Sequence, residues 1–411
     1  MNGSQSFPAR SGKIAGESIL RVAVAGYGAF GRNHLRVYRE LETAGLGVAL
    51  VAAIEPDSNR AAEAAAKFSI PVFSTVDELL HADLGLHAAT VAVPTIHHHA
   101  VAAALLDAGL DLLVEKPLVA TLAEADDLIQ RAAKGNRILQ PGHLERFNPA
   151  VLAVQPKLRR PMFFEAHRLS IFTPRSLDVD VVLDLMIHDL DIVLTFAASP
   201  VREVRAVGLP ILSPKVDIAN VRVELESGCV ANFTASRVST ERVRKLRFFE
   251  PRQYVSIDYA RRDVLVIRVD EVANKKTPAE MIASLPPQIA AMIPPAIAEG
   301  IASGKIDLAS IDPAMIAQFA AMAKIDPAVL AQFAGLAESK AGLTFSNPPV
   351  TPGEPLRLEI EAFLESVRTR RPPHVTAHQG RDALALALEI QAAMVAHAVR
   401  AGLRDFFESG A

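Results

Sequence analysis

Lys116, Asp184 and His188 are the residues of this chain whose types and surroundings suit proton transfer. Lys116 stands between Glu115 and Pro117, directly after the apolar run Leu110 to Val114. Asp180, Asp184, His188 and Asp191 recur at i, i+4, i+8 and i+11 in an otherwise aliphatic stretch, a spacing that predicts one shared helix face. Such a stripe on so apolar a helix is costly unless it is paired or lines a polar cavity. The chemistry it suits is alcohol oxidation, in which a base takes the hydroxyl proton as hydride leaves carbon. Histidine titrates near working pH, a carboxylate one turn away can orient it, and Lys116 can share the proton or polarise the developing carbonyl. Asp and His at i, i+4 can both reach a metal, but no third ligand is indicated, so no metal is expected. His97, His98 and His99 are consecutive, point in different directions and are expected to take mostly local roles.

A hydride acceptor is implied near the other end of the chain. Gly26-Tyr27-Gly28-Ala29-Phe30-Gly31 follows the short apolar run Ile19 to Ala25 and opens a helical pattern. In a G-x-G-x-x-G turn the first glycine permits the tight bend and the second lets backbone approach a pyrophosphate. The third lets helix and strand pack closely, and the helix N-terminus offers N–H donors. Glu55, 24 positions after Gly31, ends the next apolar run, Val48 to Ile54, where a carboxylate accepts from ribose hydroxyls and repels a 2′-phosphate. No arginine stands directly beside it in sequence, since Arg60 lies a turn into the following helix. NAD is therefore the expected cofactor.

Around these motifs, the first 140 or so residues alternate strand and helix. Further strands are expected at Ala88 to Val93, Leu110 to Val114 and Arg137 to Gln140. Ser58 is expected to cap one helix, and Thr75 and Thr121 open capping boxes. This pattern predicts a doubly wound parallel sheet, whose ligands bind beyond the carboxyl ends of the strands. The glycine loop, Glu55 and Glu115-Lys116-Pro117 all fall at such ends.

Length and composition agree. At 411 residues two domains are expected, and 50% hydrophobic with 22% charged residues suits substantial cores. A net charge of -3 lacks the basic face of a general nucleic-acid binder. One cysteine, Cys229, excludes an internal disulfide and fits a reducing cytoplasm. The first 18 residues are polar, without a signal-type apolar core, and no uninterrupted apolar run is long enough to span a bilayer.

The segments GYGAFG (26–31), VAVPTIHHH (91–99), EKP (115–117), GHLERFNPA (142–150) and DLMIHD (184–189) resemble the Gfo/Idh/MocA family of NAD(P)-dependent sugar oxidoreductases. The likeness runs from about Ile19 to Arg268 and again from Pro355 to Ala398. It implies that Lys116, Asp184 and His188 line the active site, and that Pro94, Thr95, His98 and Glu115 lie beside the cofactor with the glycine loop. GHLERFNPA and DVVLDLMIHD look most like the branch oxidising UDP-N-acetylhexosamines, UDP-N-acetylglucosamine among them, at C3. In that branch an aminotransferase takes the 3-keto sugar onward, for example toward modified lipid A. His143, Glu145, Arg146, Asn148 and Asp191 are then expected to bind substrate, with Arg146 the natural anion contact. An inositol or free-sugar dehydrogenase and a non-catalytic NAD-binding regulatory or assembly protein stand as alternatives. A homodimer or homotetramer is also expected.

The resemblance implies a second domain with an open, mostly antiparallel sheet. Strands are read at Met162–Arg168, Val201–Val207, Ala219–Glu226, Cys229–Arg237, Val243–Phe249 and Tyr254–Asp258, with a helix at Leu356–Val367. The expected organisation is a flexible leader (1–18), an NAD-binding domain (19–142) and a substrate and oligomerisation domain (143–411). An insert of short helices at about 274–349 interrupts the last. It carries an imperfect repeat beginning at Ile311-Asp312-Pro313-Ala314 and Ile325-Asp326-Pro327-Ala328.

Overall fold

The computed structural model describes residues 19–173, 179–269 and 343–403. The expected leader and most of the expected helical insert lie outside them.

The alternating runs of the first half form a six-stranded parallel sheet. Its strands are β1 (Leu20–Ala25), β2 (Val48–Ile54), β3 (Val72–Phe73), β4 (Ala88–Val91), β5 (Asp111–Glu115) and β6 (Leu139–Gly142), in the order β3-β2-β1-β4-β5-β6. The chain order reverses between β1 and β4, which leaves the crevice where doubly wound sheets take their ligands. Helices α1 (Ala29–Thr43), α2 (Ser58–Phe68), α3 (Val76–His81), α4 (His98–Asp107) and α5 (Leu122–Gly135) connect the strands. Burial on both faces explains the near-continuous apolar strands: Val22, Val24, Leu112 and Val114 are all fully buried. Thr121 forms the expected reciprocal capping box with Glu124. The cap of α2 is Asp57 rather than Ser58, because the Asp57 carboxylate already accepts from the amide of Arg60 at 2.8 Å.

The second half forms an eight-stranded sheet. It comprises β7 (Phe163–Leu169), β8 (Val201–Leu209), β9 (Ile218–Leu225), β10 (Val230–Ser236), β11 (Val243–Glu250), β12 (Gln253–Asp258), β13 (Asp263–Val269) and β14 (Leu343–Ser346). The order is β14-β13-β12-β11-β7-β10-β9-β8, and only the β7–β10 pair is parallel. Strand β14 corrects the helical reading of 343–349: Leu343 to Ser346 pairs with Val266 to Val269 at the sheet edge. The six strands read from alternation are present within two residues. β13 and β3 fall outside the strands read from sequence, β3 because two residues are too few to show a period.

Helices α6 (Pro149–Val154), α7 (Ile187–Ala197), α8 (Pro355–Thr369) and α9 (Ala377–Arg400) complete the α-helices among the described residues. Helix α8 returns to the first domain, where Leu356, Ile360 and Phe363 join the core with Leu35 and Tyr38 of α1. Helix α9 is long and apolar enough to cross a bilayer by composition alone, although polar residues interrupt its apolar runs. Its apolar side is occupied by packing: Ala383, Leu386, Ala387, Ile390 and Met394 join the second domain's core, and Leu384 joins the first. Gly380 lets it close on β6, since a Cβ there would stand 2.5 Å from the Pro141 ring.

Candidate active site

The glycine loop crosses from β1 to α1 at the switch point. Gly26 has φ of +99°, and a Cβ on it would meet the Ala92 carbonyl oxygen at 2.5 Å, so the turn needs glycine twice over. A Cβ on Gly31 would stand 2.0 Å from the Gly26 carbonyl oxygen. A Cβ on Gly28 would meet nothing within 4 Å, which is the open approach a pyrophosphate needs. Helices α2, α3 and α5 close their first turns with side-chain oxygens of Asp57, Thr75 and Thr121, whereas α1 begins on Gly28 with no side-chain cap. Its first-turn amides thus remain available to an anion, which fits a dinucleotide. Tyr27 is buried and Phe30 exposed within the same loop, with Ala29 starting the helix.

Gly31→Ala is therefore expected to abolish cofactor binding, because the clash is with backbone that cannot rotate away. Titration of nucleotide-induced thermal stabilisation checks it, and retained wild-type affinity would contradict it.

Glu55 is buried at the end of β2, and its two carboxylate oxygens accept from the amides of Tyr27 at 2.9 Å and Asp57 at 3.0 Å. The expectation of no arginine beside it is corrected. The Arg60 side chain folds back along its helix and brings its guanidinium to 2.9 Å from Glu55. The carboxylate's charge is thereby partly offset, so discrimination against a 2′-phosphate does not rest on Glu55 alone.

Beyond β4, Pro94 and Thr95 start a 3-10 turn (Thr95–His97) that leads into α4. His98 is buried, with Nδ1 2.9 Å from the Pro117 carbonyl and Nε2 2.9 Å from the Val93 carbonyl. It ties the end of β4 to the segment after Lys116, so its ring is engaged with backbone rather than turned toward a ligand. His99 pairs with Asp127 at 2.8 Å. Glu115 is buried behind Lys116, with one oxygen 2.7 Å from His34 Nε2 and the other accepting from the Lys116 amide at 3.2 Å. It therefore braces the strand end from within the fold.

Lys116 and the 180–191 segment meet across the two domains. The chain from Val182 to Met186 is a π-turn running into α7, and the wider turn shifts every later residue around the axis relative to an α-helix. The expected single stripe is split accordingly. Asp180 caps the turn, accepting from the amides of Val182 and Leu183, and contacts Gln391. Asp184 faces Lys116: the Nζ donates to the Asp184 carbonyl at 2.6 Å and lies 3.7 Å from its carboxylate. Loosened carbonyls are what a π-turn exposes, so the lysine is gripped by main chain as much as by charge. Burial holds the Lys116 ammonium below its usual pKa, against the opposing pull of Asp184 and Glu115.

His188 is buried one turn later. Burial, then the positive charges of Lys116 and Arg168, hold it well below the usual histidine range, so it is neutral at physiological pH. Its Nδ1 meets no hydrogen-bond partner among the described residues, so the expected orientation by Asp184 is not what the structure shows. His143 lies in the same electrostatic neighbourhood. It is buried, both ring nitrogens lack partners among the described residues, and burial lowers its pKa.

The rest of the expected substrate contacts are placed otherwise. Arg146 is buried and donates to Asp191 at 3.2 Å and to Thr195, which takes both Arg146 and Asp191 away from any diphosphate. Glu145 accepts from Arg168 at 3.0 Å and from Asn148 at 3.0 Å. Asn148 also caps α6 and donates to the Tyr259 carbonyl. These side chains pair mainly with one another, as a buried charge without a partner is far costlier than a paired one, although the second Asp191 carboxylate oxygen has no partner among the described residues.

Residues that sequence reasoning missed complete this cluster. Arg168 forms a two-point ion pair with Asp189, at 2.7 and 3.1 Å, and stands over the Tyr259 ring at 5.1 Å. A signal was present: Phe164, Ala166 and Arg168 share the inward face of β7, and an arginine in an otherwise apolar row requires a buried carboxylate. Glu359 of α8 is fully buried, and burial together with Glu115 and Asp191 pushes its carboxyl well above the usual range. Nothing in the α8 sequence distinguishes it from an ordinary solvated glutamate.

A family model described as an oxidoreductase family with an NAD-binding Rossmann fold, GFO/IDH/MocA, matches residues 20–143. The C-terminal domain model of the same family matches residues 151–251. UDP-N-acetylglucosamine 3-dehydrogenase from Acidithiobacillus ferrooxidans is 38% identical over 241 residues, 58% of this chain and 74% of that protein. A solved structure of that organism's enzyme, GnnA, superposes with a TM-score of 0.70 at 30% identity, covering 92% of this chain and 98% of that one. Inositol 2-dehydrogenase 1 from Saccharopolyspora erythraea is 31% identical over 195 residues, 44% of this chain and 56% of that protein.

Proposed function

The chain belongs to the GFO/IDH/MocA family of NAD-binding oxidoreductases, and from that premise we propose that it oxidises C3 of UDP-N-acetylglucosamine to the 3-keto sugar. The observation that carries the chemistry is Lys116, a half-buried amine held against Asp184 at the carboxyl end of β5 beside a neutral His188. The likeness to the Acidithiobacillus enzyme, at 38% identity, supports the substrate.

NAD, when bound along the glycine loop, supplies the hydride acceptor. Lys116 takes the proton of the substrate hydroxyl as the C–H bond breaks, and the lowered pKa supplies neutral amine below the ordinary lysine range. The Asp184 and Leu183 carbonyls hold the Nζ at 2.6 and 3.4 Å, which leaves its remaining lone pair or proton for the substrate hydroxyl. Neutral His188 offers the hydroxyl a hydrogen bond without adding a second positive charge beside the lysine. Repulsion between the two cationic forms favours the charge state in which only one of Lys116 and His188 is protonated at a time.

Because only unprotonated Lys116 can accept the proton, kcat/KM for oxidation is expected to rise with pH and level off below 10.5, the ordinary lysine value. A pH–rate profile from about pH 7 upward checks this, and a flat profile contradicts it.

The 31% identity to an inositol 2-dehydrogenase supports a second reading, oxidation of an uncharged polyol on the same scaffold. Purified protein with NAD is offered UDP-N-acetylglucosamine, myo-inositol and glucose, and NADH formation is followed with and without α-ketoglutarate as a reoxidant of bound cofactor. Turnover of the nucleotide sugar alone supports the first reading; turnover of the polyols alone overturns it.

A further inference from the structure

An anionic nucleotide sugar needs a cation near the reacting carbon. The diphosphate is joined to C1, two ring carbons from C3, so its subsite lies within one sugar ring of the proton-transfer groups. Arg146, the contact expected from sequence, is buried against Asp191 and Thr195. Another arginine has the position and the freedom.

Strands β7 and β11 run antiparallel with Arg168 directly opposite Arg244. Directly paired residues project to the same face of a sheet, so Arg244 shares the face on which Arg168 reaches Asp189 and Glu145. Along β11 that inward row continues through Leu246 and Phe248, both fully buried. Arg244 stands where the row runs out, exposed, at the end of the strand. Arg168 has two carboxylate partners, Asp189 and Glu145. The Arg244 guanidinium has neither an ion pair nor a hydrogen bond among the described residues. It is close enough to the reaction centre that its charge helps keep His188 neutral. Partial desolvation, then Arg168, hold its own pKa below the usual arginine value; Arg242 adds to the effect, and Glu145 and Asp189 pull the other way without reversing it. The two nearby carboxylates are both ion-paired to Arg168, so Arg244 has no counter-ion of its own among the described residues.

A guanidinium in that setting gains more from an arriving anion than a solvated, paired one, because it brings no partner to displace and its repulsion from Arg168 and Arg242 is relieved. We propose that Arg244 is the specificity-determining contact of the substrate's diphosphate, and so the residue that separates nucleotide sugars from uncharged polyols. The assignment rests on the nucleotide-sugar reading of the function.

The test uses the full-length protein, wild type, Arg244→Ala and Arg244→Lys, with NAD saturating. KM for UDP-N-acetylglucosamine is expected to rise about 10- to 100-fold in Arg244→Ala, the weight of one charge-assisted contact, and less in Arg244→Lys, which keeps charge without the fork. The rise in KM should exceed the fall in kcat, and KM for NAD should stay at its wild-type value. UDP alone is expected to inhibit the wild type in competition with the sugar nucleotide and to lose a similar factor of affinity in Arg244→Ala. If the wild type oxidises the nucleotide sugar and the variants leave both KM and UDP inhibition unchanged, the diphosphate assignment is overturned while the function stands. If the wild type oxidises only uncharged polyols, the function reading fails first and the assignment falls with it.

Discussion

Lys116→Ala is expected to lower kcat for NAD-dependent oxidation by about 10²–10⁴-fold, the range for loss of a positioned general base. Its amine is the group nearest to free for accepting a proton. Its N–H groups are engaged by the Asp184 carbonyl at 2.6 Å and, more weakly, the Leu183 carbonyl at 3.4 Å, and the carboxylate stands off at 3.7 Å. His188 is unsuited to replace it, because burial and neighbouring cations disfavour the protonated imidazolium that accepting a proton would create. Cofactor affinity should survive, since Gly26, Gly28, Gly31 and Glu55 are positioned by β1, α1 and β2. Single-turnover kinetics at saturating NAD separate the two quantities. A variant within threefold of wild type in kcat would remove Lys116 from the proton path. Arg would be a poor substitute for the same reason, as it cannot shed its proton at working pH.

Arg168→Ala is expected to destabilise the fold by about 3–5 kcal/mol, as removal of one member of a buried ion pair does. Arg168, Asp189 and Glu145 are all buried, and the truncation leaves the Asp189 carboxylate with neither of its two guanidinium contacts. The source of the loss can be isolated. Removing Asp189 as well should recover part of the stability, because the orphaned charge is then gone. Denaturant midpoints of the two single variants and the double variant measure this. Strict additivity of the single losses would contradict the coupling.

These two residues also mark how far the fold and the candidate site are legible in the sequence. Local patterns carry well: the β-branched runs of the first sheet, the glycine turn and the alternation of β7 to β12 all appear where periodicity places them. Lys116 is legible because a lysine ending a buried strand has little structural reason to be there. The splitting of the Asp180–Asp191 stripe is not legible, because a π-turn changes the register without any residue type that announces it. Nor are the partners of Arg146 and Arg168, which lie 45 and 21 residues away and are set by how α7 packs against β7 and the segment after β6. Arg60 shows the same limit at short range: the sequence places it a turn beyond Glu55, and its flexible side chain removes that distance. Arg244 becomes visible only once the β7–β11 register sets it beside Arg168.

In the proposed reaction, hydride leaves C3 of a UDP-linked N-acetylglucosamine and the hydroxyl proton goes to Lys116. UDP-N-acetylglucosamine carrying deuterium at C3 tests this most directly, with the reduced cofactor examined by mass spectrometry after one turnover. Transfer from C3 predicts reduced cofactor one deuterium heavier and a 3-keto sugar nucleotide, with neither formed by Lys116→Ala on the same timescale. Reduced cofactor without the label would place the oxidised carbon elsewhere on the sugar and contradict the proposed reaction.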